Sequence, residues 1–195
     1  MKKSNYSLGE IIVNVINLIR TKIYIPSARL VRFPVIIRGK KYIDFGHRLT
    51  TGYHCRFEVN GKHCRSVIQL GDGVNMGDNV RISAAERIVI GNNVLMGSKV
   101  LIIDTSHGDY SGEHQDSPLI PPNKRPLITK QIIIEDNVWI GEGVVIQPGV
   151  RIGMGSIIGA NAVVTHDVEE NCIVAGAPAK IVKKWNSEEK KWKRI

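Results

Sequence analysis

The chain has 195 residues, the length of one ordinary domain, and its 27 lysines and arginines against 18 acidic residues give a formal net charge of +9. The basic residues concentrate at the two ends, but no base-stacking aromatic pattern accompanies them, so a nucleic-acid partner is not expected. The three cysteines, an odd number without a Cys-x-x-Cys pair, argue against a disulfide framework and favour a reduced, cytoplasmic protein.

The first predicted element is an N-terminal helix. The sequence SLGE at residues 7–10 has the pattern of a capping box, which predicts a helix that continues to about Ile23. Its apolar stretch has no small-residue cleavage site, which argues against a signal peptide, and polar residues such as Asn17 interrupt it too early for a membrane span. We expect residues 1–29 to form a helical cap whose basic charge suits an anionic membrane surface.

Residues 30–184 are dominated by a six-residue repeat. Apolar side chains recur at one position of each repeat: Leu70, Met76, Ile82, Ile90, Met96, Ile102, Ile134, Ile140, Ile146, Ile152, Ile158 and Val164. A second apolar set lies two residues ahead of the first, so both sets face one side of a short strand. Corner sequences such as GDNV and GNNV supply the left-handed backbone that a tight turn needs. Three strands and three corners make one triangular coil, and coils stacked about 4.8 Å apart predict an all-β solenoid, a parallel β-helix with a narrow apolar core.

The repeat stops at residues 104–131, a polar stretch with four prolines that is predicted to be an extruded loop. Loops of this length in compact folds are usually functional or disordered. His107 lies at the root of the loop, just after the strand predicted at Ile102 and Ile103. A histidine between a rigid strand and a mobile lid is well placed to act as a general base. On composition alone, however, a single surface histidine is more often without function.

The last predicted element covers residues 185–195. This segment, which includes NSEEKKWKRI, is predicted as a short helix that covers the open end of the solenoid, where unpaired strand edges would otherwise be exposed. The predicted architecture is therefore a β-helix with an extruded loop and a short helix at each end.

Four features of the sequence resemble the hexapeptide-repeat acyltransferases: the repeat itself, DTSHG at the root of the loop, NVWIGEGVVIQPGV, and the closing AGAPAKIV. The galactoside, maltose and nodulation O-acetyltransferase branch is the most similar, and within it the O-acetyltransferases of lipopolysaccharide O-antigen and capsule biosynthesis. The resemblance covers residues 66–184, and SLGEIIVNVINLIRTK near the N-terminus also resembles this group. It implies a left-handed parallel β-helix, a homotrimer with active sites between subunits, and acetyl-CoA as the donor along the outer wall.

The same resemblance implies a set of site residues. His107 matches the family's catalytic base, which removes the proton from an acceptor hydroxyl that attacks the acetyl thioester directly. Asp104 is a candidate to orient the His107 ring, although a backbone carbonyl would serve equally well. The positions that match the family's acetyl-CoA site are Trp139 beside the pantetheine arm, Gly141, Glu142, Ala160, Thr165 and His166 along the wall, and Lys180 and Lys183 at the phosphates.

The activity implied by the resemblance is O-acetylation of a sugar in a bacterial surface polysaccharide precursor. Sugar-acetylating relatives place an Asn and an Asp upstream of the histidine, where this chain has Gly77 and Ala85, so we expect the acceptor to be held differently. A lipid-linked acceptor would bring the N-terminal helix to the inner leaflet of the membrane. Two alternatives stay open: acetylation of a small free acceptor, a sugar or an antibiotic, and a non-enzymatic structural β-helix.

A metal enzyme on the same fold, the γ-type carbonic anhydrase, is disfavoured. Three histidines must converge on its zinc, two of them five residues apart. His107 and His114 are seven residues apart, and no other pair of the six histidines has the required spacing. We therefore expect no metal.

Overall fold

The computed structural model describes residues 6–61, 64–65 and 67–195. Its helices and strands follow in chain order: α1 (Leu8–Tyr24), β1 (Ile36–Arg38), a 3-10 helix (Lys40–Tyr42), β2 (Ile43–Asp44), β3 (Arg56–Val59), β4 (Ile68–Leu70), β5 (Asn75–Met76), β6 (Arg81–Ala84), β7 (Ile88–Ile90), β8 (Leu95–Met96), β9 (Leu101–Ile103), β10 (Thr105–His107), a second 3-10 helix (Pro122–Lys124), β11 (Leu127–Thr129), β12 (Ile132–Ile134), β13 (Trp139–Ile140), β14 (Val145–Ile146), β15 (Arg151–Ile152), β16 (Ile157–Ile158), β17 (Val163–Val164), β18 (Cys172–Ala175), β19 (Lys180–Asn186) and β20 (Lys191–Arg194). The strands are short because each occupies only part of a six-residue repeat.

Three sheets form the walls of a triangular prism. Wall A has the strand order β20-β19-β18-β16-β13-β8-β5, wall B the order β1-β3-β6-β9-β14-β17, and wall C the order β15-β12-β7-β4-β2. Successive strands of the chain visit walls C, A and B in turn and pair in parallel with the strands of the neighbouring coils. The predicted parallel β-helix is therefore confirmed.

Both apolar sets of the repeat lie inside the prism, as the periodicity predicts. Ile82 and Ile102 of the first set and Val94 and Val144 of the second set are almost completely buried. At Ser156, where the second set has a small polar residue, the buried hydroxyl donates a hydrogen bond of 2.7 Å to the Glu169 carbonyl. Asparagines with positive φ angles of 54° to 59° turn the corners: Asn79, Asn93, Asn137, Asn161 and Asn171. The corner residues thus have the conformation that the sequence pattern predicts.

The predicted N-terminal helix is confirmed as α1. Ser7 and Glu10 form the capping box, with the Glu10 N–H donating to the Ser7 hydroxyl and the Ser7 N–H donating to the Glu10 carboxylate. α1 lies against the first coil, where the Thr21 hydroxyl accepts a hydrogen bond of 2.8 Å from the Val31 N–H. No helix in the described part of the chain is long and apolar enough to cross a bilayer.

The prediction of a helix at residues 185–195 is wrong. The segment belongs to an antiparallel hairpin, in which β19 pairs with β18 and β20 pairs with β19. Trp185 and Trp192 lie opposite each other in the hairpin, with ring centroids 5.4 Å apart. The free edge of β18 offers backbone hydrogen bonds that a helix would leave unmade, and the tryptophan pair adds a cross-strand contact. The C-terminal end of the prism is therefore extended by strands.

The extruded loop leaves the prism between β9 and β12, at the corner where walls B and C meet. Its root is regular, because β10 and β11 form a two-stranded antiparallel ribbon in which His107 lies opposite Leu127. The ribbon satisfies the backbone hydrogen bonds of a segment that has left the wall. It therefore holds His107 on a strand and not on a mobile coil.

Candidate active site

His107 is the last residue of β10, and its side chain is exposed. The ribbon continues beyond it, since the Gly108 N–H donates to the Pro126 carbonyl at 2.9 Å. The Tyr110 hydroxyl donates to the His107 carbonyl oxygen. Among the described residues no hydrogen bond engages the imidazole, so its ring nitrogens are available to an acceptor hydroxyl. A fixed backbone and a free ring are what a general base requires.

Arg125 holds the distal part of the loop over β10. Its guanidinium donates to the Tyr110 hydroxyl at 2.5 Å and to the Ile120 carbonyl at 2.8 Å. A second link joins the Asp109 N–H to the Asp116 carboxylate at 2.7 Å. Tyr110 and Arg125 were not predicted as site residues, because neither lies in the repeat and they are fifteen positions apart in the loop.

A cavity of about 250 Å³ lies between the loop root and the prism. Its lining combines polar and apolar side chains and includes Ser106, Asp109, Tyr110, Ile128, Lys130 and Gln147. The volume suits a small polar group, such as one sugar ring, better than a long ligand. Ser106 and Ile128, which pair in the ribbon, face this cavity, whereas His107 is not among the residues that line it.

Asp104 does not orient the His107 ring, and that expectation is wrong. Asp104 is fully buried, and its carboxylate accepts hydrogen bonds from the backbone N–H groups of Ala85 at 2.8 Å, Glu86 at 2.8 Å and Arg87 at 2.9 Å. Burial raises the pKa of the Asp104 carboxyl, and these three N–H donors oppose the rise. Asp104 therefore fixes the neighbouring corner between walls B and C, at the point where the loop begins.

Trp139 lies on the outer face of wall A and is half exposed. It is in register with Leu95 on one side and Ile157 on the other, and Ile157 is in register with Ile173. These four side chains form an apolar strip along the wall, since residues in register on a sheet face the same way.

Two lysines continue this strip at its C-terminal end. Lys183 lies opposite Ile173 in the β18–β19 pairing, and Lys180 lies opposite Ala175. From Leu95 to Lys183 the strip crosses five strands, a distance of about 20 Å at the usual strand spacing. An apolar surface of this length that ends in two cations fits a ligand with an extended arm and terminal phosphates, such as acetyl-CoA.

Gly141 and Ala160 lie at the corner between walls A and B. A Cβ atom on Gly141 would lie 2.6 Å from the Ala160 backbone nitrogen, so the two coils approach as closely here as their backbones allow. Glu142 is exposed beside them and pairs with Lys99 at 3.5 Å. Gly141 therefore has a packing reason that is independent of any ligand, whereas Ala160 and Glu142 face solvent.

Thr165 and His166 lie at a different corner, where the chain leaves wall B towards the Val168 bridge to wall C. The Thr165 hydroxyl and the His166 Nδ1 are 2.9 Å apart. This corner also carries the loop with His107, two coils earlier. In a triangular prism it lies opposite wall A, so one chain does not bring His107 and Trp139 to the same surface.

The described residues contain no group of three or more histidines, cysteines or acidic residues that could hold a metal ion.

Comparison with known proteins relates this geometry to characterised folds. Residues 131–166 match the family model described as bacterial transferase hexapeptide (six repeats). The chain is 40% identical over 192 residues to WbbJ, an Escherichia coli K12 protein named as a lipopolysaccharide biosynthesis O-acetyl transferase. The aligned region covers 97% of this chain and 95% of that protein.

Two solved structures share the fold. A maltose O-acetyltransferase from Clostridium difficile 630 has a TM-score of 0.60 and 25% identity, over 74% of this chain and 71% of that chain. A hexapeptide-repeat-containing acetyltransferase from Vibrio cholerae has a TM-score of 0.59 and 29% identity, over 76% and 77% of the two chains. The expected left-handed parallel β-helix is confirmed.

Proposed function

The chain belongs to the bacterial hexapeptide-repeat acyltransferases and is an acetyltransferase, and we propose that it moves the acetyl group of acetyl-CoA to a sugar hydroxyl of a surface-polysaccharide precursor, O-antigen or capsule. The observation that carries the proposal is the position of His107, exposed at the end of β10 at the root of the extruded loop. The likeness to WbbJ over nearly the whole chain supports a lipopolysaccharide-type acceptor, because that protein is named for lipopolysaccharide biosynthesis. The reaction would take place in the cytoplasm.

In the proposed mechanism the His107 imidazole accepts the proton of the acceptor hydroxyl while the hydroxyl oxygen forms a bond to the acetyl carbon. Acetyl-CoA supplies the thioester carbonyl, and the carbon–sulfur bond breaks as the new ester forms. The proton held by His107 then passes to the departing thiolate sulfur, so no acyl group is attached to the protein. A positioned general base contributes about 10²- to 10⁴-fold to such a reaction.

The opposite placement of the two halves of the site supports a homotrimer. His107 is on the corner between walls B and C, whereas the apolar strip with Trp139 and the two lysines is on wall A. In a closed, head-to-tail trimer the corner of one copy meets wall A of the next. Each active site would then take its base from one subunit and its acetyl-CoA surface from the neighbour.

A paired lysine variant tests the acetyl-CoA surface. We expect Lys180→Gln together with Lys183→Gln to weaken acetyl-CoA binding by about tenfold or more, because two charge-assisted contacts to phosphates are lost. Isothermal calorimetry measures the dissociation constant. Lys41→Gln serves as the control, because Lys41 is an exposed lysine near the N-terminal end of the prism. This variant should bind acetyl-CoA as the wild type does.

Co-expression of two impaired variants, assayed at an acetyl-CoA concentration well below the wild-type dissociation constant, tests the shared site. In a mixed trimer of the paired lysine variant and His107→Ala, some interfaces combine an intact histidine with an intact lysine pair. Acetyl transfer by the mixture should therefore exceed that of either variant alone by a clear multiple. A mixture no more active than its better component would contradict a site built between subunits.

The N-terminal helix supports the further proposal of a peripheral contact with the inner membrane leaflet. Two of its polar residues, Asn17 and Thr21, face the protein and are buried, and the Asn17 side chain accepts a hydrogen bond from the Phe33 N–H at 3.2 Å. Eight of the nine exposed aliphatic residues of α1, all but Val13, lie on one side of the helix: Leu8, Ile11, Ile12, Val15, Ile16, Leu18, Ile19 and Ile23. At roughly 100° per residue these eight occupy an arc of roughly 160°. A helix of this kind, in a basic segment, suits an anionic interface.

Vesicle sedimentation tests this contact. The wild type should sediment with vesicles of phosphatidylglycerol and phosphatidylethanolamine, and Ile12→Asn with Ile19→Asn should bind at least about tenfold more weakly, because two outward apolar side chains are lost. Met154→Asn with Ile195→Asn, which changes two exposed apolar side chains elsewhere, is the control. Equal sedimentation of both double variants would refute the contact. The contact would also be refuted if the helix variant lost the oligomeric state of the wild type, because the apolar arc would then be an interface with a second copy of the chain.

A further inference from the structure

Wall B carries three arginines around a single carboxylate. Glu58 Oε1 accepts from Arg38 Nη1 and from Arg56 Nη2, each at 2.8 Å, and Glu58 Oε2 accepts from Arg81 Nε at 2.8 Å. We call Arg38, Arg56, Arg81 and Glu58 the arginine cluster. It joins β1, β3 and β6, the three strands that precede β9 in wall B.

The arginines cover Glu58, which lies on the outer face of the wall. Its side chain is only 3% exposed, whereas those of Arg38, Arg56 and Arg81 are 68%, 36% and 44% exposed. Burial raises the pKa of the Glu58 carboxyl, but the hydrogen bonds from Arg56 and Arg81 outweigh it and the net pKa is lowered. The carboxylate is therefore ionised at neutral pH, and the cluster contains three positive charges and one negative charge.

The excess of two positive charges is not needed to stabilise the sheet. Arg56 and Arg81 are in register on neighbouring strands, where like charges repel each other. The outward residues that follow in register on wall B are uncharged: Leu101, Ile103, Val145 and Val163. Within the described residues, the buried Nε of Arg56 has no hydrogen-bond partner. Three guanidinium groups carry about fifteen N–H donors, and Glu58 takes three of them.

We propose that the arginine cluster binds the diphosphate of a saccharide that is linked through a diphosphate ester, and that this saccharide is the acetyl acceptor. The proposal rests on the proposed acetyltransferase function and names its acceptor class. A diphosphate diester carries about two negative charges at neutral pH, which matches the excess charge of the cluster, and guanidinium groups bind phosphate oxygens with paired hydrogen bonds.

The position of the cluster agrees with this role. Arg81 is in register with Leu101 of β9, and β9 runs directly into the loop root. The six Cα-to-Cα steps from Leu101 to His107 span at most about 20 Å. A diphosphate held at the cluster would therefore leave its sugar within reach of the corner that carries His107. Binding of the acceptor through its phosphates is also consistent with Gly77 and Ala85, whose side chains cannot form hydrogen bonds with sugar hydroxyls.

Calorimetry with inorganic pyrophosphate tests the cluster without knowledge of the sugar. The wild type should bind, and Arg38→Gln and Arg81→Gln should each bind about tenfold more weakly. Arg38 is the most exposed of the three arginines, so Arg38→Gln keeps the test valid if Arg81→Gln fails to fold. Arg151→Gln is the matched control, because Arg151 is an exposed arginine paired with a glutamate on wall C. It should bind pyrophosphate as the wild type does.

A second pyrophosphate titration, in the presence of saturating acetyl-CoA, shows whether the cluster binds the acceptor or the donor. The control is needed because acetyl-CoA also carries a diphosphate. Unchanged pyrophosphate binding supports an acceptor site, whereas displacement by acetyl-CoA overturns the proposal. A nucleoside diphosphate sugar and a short-chain alkyl glycosyl diphosphate then identify the source of the diphosphate. Binding of either compound supports the proposal if Arg38→Gln weakens it as it weakens pyrophosphate binding. The compound that binds more tightly identifies the group to which the diphosphate links the sugar.

The proposal is also overturned if folded wild-type protein does not bind pyrophosphate, or if the cluster variants and Arg151→Gln bind it equally. Acetyl-CoA binding, measured on the same samples, distinguishes failure of the proposed acceptor class from failure of the proposed acetyltransferase function. If acetyl-CoA binds and pyrophosphate does not, the acetyltransferase function stands and only the acceptor class fails. If pyrophosphate binds through the cluster and acetyl-CoA does not, the proposed function fails instead.

Discussion

His107→Ala is expected to lower the rate of acetyl transfer by about 10²- to 10⁴-fold and to leave acetyl-CoA binding unchanged. The rate falls because a sugar hydroxyl is a weak nucleophile until a base removes its proton. Binding is preserved because the proposed acetyl-CoA contacts are made by the strip on wall A that includes Trp139 and Lys183, whereas the His107 imidazole acts on the acceptor hydroxyl. Single-turnover transfer from labelled acetyl-CoA to the saccharide acceptor measures the rate.

His114→Ala is the control for this prediction, because His114 is another exposed histidine in the same loop. It should retain a rate close to that of the wild type. A His107→Ala enzyme with an undiminished rate would exclude His107 as the base. Equal losses in both variants would instead indicate that the loop as a whole, and not one imidazole, is required.

Asp104→Asn is expected to destabilise the protein by about 2–3 kcal/mol, because an amide cannot replace a carboxylate that accepts hydrogen bonds through both oxygens. The Asp104 Oδ1 accepts from Ala85 and the Oδ2 from Glu86 and Arg87, so the amide NH₂ group would face backbone N–H donors in a buried site. The midpoint of thermal unfolding should fall by roughly 5–10 °C in a chain of this size. Calorimetric or spectroscopic melting measures it.

Asp78→Asn provides the comparison. Asp78 is exposed and accepts a hydrogen bond of 2.7 Å from the Tyr53 N–H, which an amide oxygen can accept equally well while solvent reaches the NH₂ group. This variant should change the melting temperature by no more than about 2 °C, since exposed substitutions of this kind cost little. If Asp104→Asn is as stable as Asp78→Asn, the carboxylate does not hold the corner at residues 85–87.

The prism could be predicted from the sequence because its periodicity is local. Each hexapeptide specifies two inward apolar side chains and a corner, and the corner asparagines have the positive φ angles that the pattern requires. The C-terminal segment was predicted wrongly because its local preference is helical. The open edge of β18, which recruits β19, is created by the fold and is not visible in the residues themselves.

The site could be predicted only in part. Asp104 and His107 are close in sequence, but residues three apart in an extended segment point to opposite sides, and Asp104 turns to the corner at Ala85. The arginine cluster combines residues twenty or more positions apart, and it becomes visible only when β1, β3 and β6 are placed side by side. The opposite positions of His107 and Trp139 depend on which wall each repeat joins.

The most direct test of the central claim is calorimetric titration of acetyl-CoA into the wild type and into His107→Ala. We predict micromolar binding to both proteins, since the acetyl-CoA surface on wall A is intact in each and His107 acts on the acceptor hydroxyl. Failure of both folded proteins to bind acetyl-CoA would contradict an acetyl-CoA-dependent transferase.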